Sequence, residues 1–231
     1  MTPEDEDLLA DAAVQAWPDA FARREAQQLA AFEALVLSQQ PATQPWTPVT
    51  DYSFEARKEI EGEHPQLIKD AFQPTLVMDY GCGPGHLIAM LRYLGVETKG
   101  YEPFFRNAAM EQPTARPHIY RDLMWAGQRK YDLVICREVL EHCTVREIKA
   151  TITELCRLSE KFVYATTRFT RAPTSLLSVD TFDDLDPTHI TMLNQNFLRV
   201  LFVLEGFKRR ADLEAKMDWQ RKGRVLVYER V

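Results

Sequence analysis

The sequence predicts an α/β fold, an open sheet of mainly parallel strands with helices on both faces. Three observations predict it. From Pro74 onward short apolar runs alternate with helical stretches, the order that builds a parallel sheet. Residues 76–85, Leu-Val-Met-Asp-Tyr-Gly-Cys-Gly-Pro-Gly, pass from a buried strand into a helix through Gly81, Gly83 and Gly85. An acid, Glu102, stands 21 positions after Gly81 at the tip of the next strand. A doubly wound sheet places a carboxylate there, against ribose hydroxyls.

Taken in order, residues 4–38 read as helix, with a break just before Pro18, a residue suited to a first helical position. Phe21, Leu29, Phe32, Leu35 and Val36 form an apolar stripe, with Arg23, Arg24, Glu25, Gln27 and Gln28 largely opposite. Prolines at 41, 45 and 48 make 41–48 an extended connector. Residues 53–71 are helical again, interrupted near 62–65. We therefore expect an N-terminal helical extension over 1–73 and the main domain over 74–231. Within that domain a strand ends at Asp79, a helix covers 86–94 with Pro84 at its first position, and strands cover 97–101, 117–121, 131–136 and 161–167.

The glycine turn lets backbone approach a ligand, and the helix start behind it offers unpaired N–H groups. A Gly-rich turn also occurs without any ligand; the pairing with Glu102 is what points to a nucleoside-containing cofactor. The spacing is G-x-G-x-G, not the G-x-G-x-x-G of dinucleotide sites. Asp79, just before the turn, repels a pyrophosphate but attracts a cation or accepts from an ammonium group. NAD and NADP are not expected to bind.

The pattern D-x-G-C-G-x-G with a downstream Glu resembles motif I of the class I S-adenosylmethionine (SAM) methyltransferases, whose cofactor carries an amino acid and a sulfonium. Tyr120-Arg121-Asp122-Leu123 and the run Arg137-Glu138-Val139-Leu140-Glu141-His142 after the fourth strand extend the likeness toward the ubiquinone-pathway and small-molecule type. So do residues 194–207, similar to the family's last helix, and 208–212 with 224–229, similar to its closing antiparallel pair. The resemblance implies a Rossmann-like seven-stranded mixed sheet and SAM as cofactor. Asp79, Gly81, Cys82, Gly83 and Gly85 would hold the methionine end, Glu102 the ribose, Asp122 the adenine amino group and Leu123 its face. Cys136 and Arg137 would border the methyl group and the acceptor. The N-terminal extension serves as a lid or dimer contact in such enzymes, and Trp46, Asp51 and Tyr52 lie where relatives cover the cofactor.

Methyl transfer is an in-line displacement at carbon, so positioning the acceptor and excluding water are the main tasks of the protein. Glu138, Glu141 and His142 admit three readings. They start a helix, with acids at its positive end; or His142 is a base; or the acids and His142 hold a divalent cation. The resemblance encourages the third, because RNA 3′-end 2′-O-methyltransferases and some ubiquinone-pathway enzymes use E-x-x-E-H this way. His189 would then be a fourth ligand, and it has an independent claim as a catalytic or substrate-side residue. Thr166, Thr167, Arg168 and Arg171 share that edge; either arginine suits an anionic acceptor group.

The net charge of −6 and pI near 5.5 argue against extended nucleic-acid contact. Four cysteines without a C-x-x-C pair read as cytosolic thiols. No apolar stretch approaches membrane-spanning length, and the acidic start Met-Thr-Pro-Glu-Asp-Glu-Asp is unlike a signal peptide. The expectation is a soluble cytoplasmic methyltransferase, monomeric or homodimeric, acting on oxygen or nitrogen of a small molecule. Its rivals are a metal-dependent RNA-end enzyme and a SAM-binding, non-catalytic subunit of a modifying complex.

Overall fold

The computed structural model describes residues 23, 26–27, 29–31, 33–40, 53–105, 107, 109–170, 177–178 and 188–231. Trp46, Asp51, Tyr52 and Arg171 lie outside the described residues, as do the connector at 41–48 and the start of the expected first helix. The chain divides into two compact units, Met1–Gln40 and Pro41–Val231. In the first, the described residues are helical through Ser38; Leu29 is exposed, and Leu35 and Val36 are half-buried.

The second unit opens with two helices, α1 (Phe54–Glu61) and α2 (His64–Phe72). Ser53 caps α1 through its hydroxyl, which accepts from the Ala56 amide at 3.3 Å. Gly62, at φ 50°, ends the helix, and Pro65 sits in the first turn of α2, which accounts for the expected interruption. There follow β1 (Leu76–Tyr80), α3 (His86–Tyr93), β2 (Glu97–Tyr101), β3 (Ile119–Tyr120), α4 (Leu123–Ala126), β4 (Tyr131–Arg137), α5 (Val145–Leu158) and β5 (Ser159–Thr166). A short ribbon, β6 (Leu177–Ser178) with β7 (Met192–Leu193), precedes α6 (Gln195–Leu204), β8 (Phe207–Arg209), α7 (Ala211–Met217) and β9 (Val225–Arg230).

The seven-stranded sheet has the order β3-β2-β1-β4-β5-β9-β8. The first five strands are parallel, and β9 runs antiparallel between β5 and β8. Side chains alternate across it. Val134, Cys136, Val163 and Ala165 join Ile148, Ile152 and Leu155 of α5 and Leu198 and Phe202 of α6 in one core. Val77, Leu133, Ile135, Phe162 and Tyr164 join Ile68 and Phe72 of α2, Leu87 and Leu91 of α3, and Leu213 and Met217 of α7 in the other. Burial on both faces is why β4 reads as a continuous apolar run. Asp132, at its start, accepts from the amides of Thr75 and Leu76 at 2.8 and 2.9 Å, fixing the entry to β1.

Three local expectations are corrected. Pro84 precedes α3, which begins at His86 behind Gly85 as cap. The expected strand 208–212 ends at Arg209, and Asp212 belongs to α7, a helix whose signal, Leu213 and Met217 four apart among good helix formers, went unread. Glu138 and Glu141 do not start a helix: α5 begins at Val145, capped by Thr144, whose side chain and Glu147 form a capping box. Leu140–His142 is instead a single 3-10 turn. Among the described residues no helix is long and apolar enough to cross a membrane.

Candidate active site

The parallel strands are in register, so Tyr120, Tyr101, Tyr80, Cys136 and Ala165 form one row across the sheet. Beyond that row lie Arg121, Glu102, Gly81, Arg137 and Thr166. The chain leaves β1 toward β2 and β3 on one side, and β4 and β5 lie on the other. Such a switch point opens a crevice at the carboxyl ends of the strands, the usual ligand position in open α/β sheets.

The glycine turn is built for close approach. Gly81, Gly83 and Gly85 have φ of 76°, 51° and 85°, a region L-residues avoid. Gly81 has no room for a side chain either, because a Cβ there would lie 2.4 Å from Val139 Cγ2. The amides of Gly81 and Cys82 donate to the Tyr101 carbonyl at 2.8 and 3.2 Å, tying the turn to β2. Cys82 is half-buried, and burial holds its thiol protonated.

Three acids follow the strand tips. Asp79 is 5% exposed; burial, helped by Glu61 and Glu102 and opposed by Arg137, pushes its pKa up to about 7. Glu102 accepts from the amides of Phe104 and Phe105 on Oε1 at 2.8 and 3.0 Å, and from Gly83 on Oε2 at 3.0 Å. Oε2 thus keeps a lone pair for a further donor. Asp122, an exposed residue, caps α4 through Oδ1, which accepts from the Met124 amide at 2.8 Å. Leu123 beside it is half-buried against the core.

These residues fit SAM. The carboxylates offer acceptors, in sequence along the edge, for an ammonium, a ribose diol and an adenine amino group.

Farther along the edge the side chains part from expectation. The Cys136 thiol is fully buried among Met78, Val134 and Ala165, so only its backbone reaches the tip. Arg137 turns to the opposite face and forms a bidentate pair with Glu61, Nη1 to Oε2 at 3.0 Å and Nη2 to Oε1 at 2.9 Å. Arg57 donates to the same Oε1 at 2.9 Å. His64 completes the cluster: Nδ1 lies 2.8 Å from Glu61 Oε2, Nε2 2.9 Å from Tyr164 Oη, and the ring stacks on Trp219. Burial lowers the His64 pKa against the pull of Glu61, favouring a neutral ring that donates through Nδ1. Burial would raise the Glu61 carboxyl, but Arg137 and His64 overcome it and hold it well below the usual range. Sequence reading missed this network: Arg57 and His64 flank Glu61 at i,i+4 and i,i+3 spacing, but no local signal joins Glu61 to Arg137 or His64 to Tyr164.

The acidic cluster does not converge on one point. Glu141 is fully buried, with Oε2 accepting from the Thr167 hydroxyl at 2.9 Å, and burial beside Glu138 keeps its carboxyl protonated. Glu138 is exposed, at φ 51°, with its amide donating to the Thr166 carbonyl at 2.9 Å and its carboxylate 3.8 Å from Arg224. His142 and His189 do come together, ring centroids 4.7 Å apart. The Nδ1 of His142 lies 2.9 Å from the Thr188 hydroxyl and 3.2 Å from the Thr188 carbonyl, which fixes the ring against the loop before β7. Among the described residues no three His, Cys, Asp or Glu side chains gather closely enough to hold a metal ion, so the expected Glu138–Glu141–His142–His189 set is not assembled. Thr166 and Thr167 are buried on the same edge, and Arg168 is half-buried.

Residues 53–211 match the protein family described as "Methyltransferase domain". Among solved structures the chain resembles the magnesium protoporphyrin IX methyltransferase of Synechocystis with bound SAM, at 20% identity over 80% of this chain and 87% of that one, TM-score 0.52. It also resembles the 1,6-didemethyltoxoflavin-N1-methyltransferase of Burkholderia thailandensis, at 12% identity over 83% and 94%, TM-score 0.52. The [4+2]-cyclase SpnF shares the fold at 12% identity over 90% and 94%, TM-score 0.52, so structural likeness alone does not name a reaction. No curated protein matches the chain in sequence. The family match spans more than half of the chain, across the glycine turn and all three acids, and the chain belongs to the methyltransferase-domain family as a class I SAM-dependent methyltransferase.

Proposed function

We propose that this enzyme moves a methyl group from SAM to an oxygen or nitrogen of a small-molecule acceptor seated at the tips of β4 and β5. The observation that carries it is the cradle of Asp79, the Gly81–Gly85 turn and Glu102, continuous with an edge where His142 and His189 lie together. SAM, when bound, supplies an electrophilic methyl on sulfur. Asp79 receives the ammonium, Glu102 the ribose diol, Asp122 and Leu123 the adenine. The backbone at Cys136 and the Arg137–Glu61 pair wall the acceptor side and hold water back. His142, its ring held through Nδ1 at Thr188, takes the acceptor proton, a contribution of typically about 10²–10⁴-fold. The acidic total charge favours a small acceptor over RNA.

Purified protein incubated with tritium-labelled SAM and a small-molecule extract should place label in low-mass products. Label recovered only in RNA, or none at all, would sink the reading. The activity should also survive chelator, since His142 acts as a base here. Complete loss restored by magnesium or manganese would instead make Glu138, His142 and His189 ligands in a rearranged site.

A further inference from the structure

Parallel neighbours such as β2 and β3 need a crossover, and that crossover is usually a helix. Here, among the described residues, the connection contains no α-helix, only the 3-10 turn Arg116–His118. This irregular segment nevertheless carries the turn that aims Glu102. The amides of Phe104 and Phe105 hold the Glu102 carboxylate, so that carboxylate points at the glycine turn only while residues 102–105 keep their conformation. One side chain spans both ends of that turn. Arg121 Nη1 donates to the carbonyl of Glu102 at 2.8 Å and to that of Phe105 at 2.9 Å. Its Nη2 pairs with Glu111, which is buried and also lies 3.2 Å from Arg116 Nε. The same segment seats the glycine turn, with the Gln112 amide donating to the Pro84 carbonyl at 2.9 Å and Ala115 filling the space beside Gly85.

We propose that Arg121, anchored by Glu111, is a positioning residue for the nucleoside end of the SAM site. It takes the place of the missing crossover helix and presets Glu102. A planar guanidinium suits the task, because its fork reaches two carbonyls and a carboxylate at once, whereas an ammonium on a flexible stem cannot hold all three in one geometry. Asp122 follows directly, so the same side chain sets where α4 and its adenine-side carboxylate begin. The inference rests on the cofactor assignment above and adds what organises that site.

The test measures binding of S-adenosylhomocysteine and of adenosine by calorimetry, and amide exchange without ligand, in wild type, Arg121→Ala, Arg121→Lys and Glu111→Gln. Loss of charged hydrogen bonds should weaken both ligands in Arg121→Ala by the same factor, about tenfold or more. Glu111→Gln, the milder change, should weaken them less, with Arg121→Lys between. Exchange should speed up at Phe104 and Phe105 while the amides of β4 stay protected, a local signature that general destabilisation would not produce. Unchanged affinities in all three variants, or acceleration spread evenly over the sheet, would overturn the inference. Wild-type protein that binds neither ligand would overturn the cofactor reading, and this one with it.

Discussion

Asp79 and Glu102 show how environment divides two carboxylates that share one cleft. Glu102 accepts from three backbone amides, which fix its carboxylate toward the glycine turn. Replacing it by Gln should weaken S-adenosylhomocysteine binding by about 1.5–3 kcal/mol, measured by calorimetry, since a charged acceptor is lost. Asp79 is buried, and its pKa rises to about 7. The unfolded chain releases that proton near pH 4, so the folded state holds the extra proton between about pH 4 and 7. Stability from this group is therefore present below about pH 4 and lost as pH rises to 7, a loss of about 4 kcal/mol by linkage. Denaturant unfolding of wild type and Asp79→Asn at a series of pH values should show the difference between them growing over that window. A flat difference would mean that Asp79 ionises freely. The carboxylate that destabilises the empty protein is the form an ammonium stabilises, so the site stores for binding what it costs in folding.

Single elements carry the site through their ends. α1 reaches the sheet through Glu61, its last residue, which receives two arginines and a histidine. Glu61→Gln would leave Arg137 short of a counter-charge at 19% side-chain exposure, and should cost about 3–5 kcal/mol of stability as read by denaturant midpoint. α5 depends on its cap. Thr144 and Glu147 bond reciprocally, the Thr144 amide to Glu147 Oε2 at 2.8 Å, and Thr144→Ala should cost about 1 kcal/mol with little effect on cofactor affinity. The two substitutions separate a network that borders the site from a cap that only ends a helix.

At the scale of the whole molecule, the two cores on either face of the sheet hold the strand tips in one row, and the ligand is expected across that row. Ligand binding should then stabilise the entire second unit. S-adenosylhomocysteine at about one hundred times its dissociation constant should add about 2.7 kcal/mol. For a chain of this size that is a rise in melting temperature of roughly 5–10 °C, readable by calorimetry. NAD at the same concentration should give no shift, and a comparable rise with NAD would show that the glycine turn accepts a pyrophosphate.

What the sequence determined by itself was local. A strand, three glycines and an acid lie within ten consecutive residues, and their chemistry is set by neighbours along the chain. The apolar run of β4 announced a strand buried on both faces, and the position of Glu102 followed from the length of one β-α-β unit. Periodicity reports that a face is apolar, however, and not what covers it. Only the tertiary structure decided that Glu61 would meet Arg137 and that His64 would meet Tyr164, pairs separated by 76 and 100 residues. It decided as well that Glu141, legible as a ligand or a helix cap, bonds to the Thr167 hydroxyl, because a fully buried carboxyl in a 3-10 turn must find a hydrogen bond wherever packing leaves one. The β2–β3 connection belongs to the same class: the pairing of Arg121 with Glu111, and of Arg121 with the carbonyls of Glu102 and Phe105, is announced by no pattern in residues 102–118.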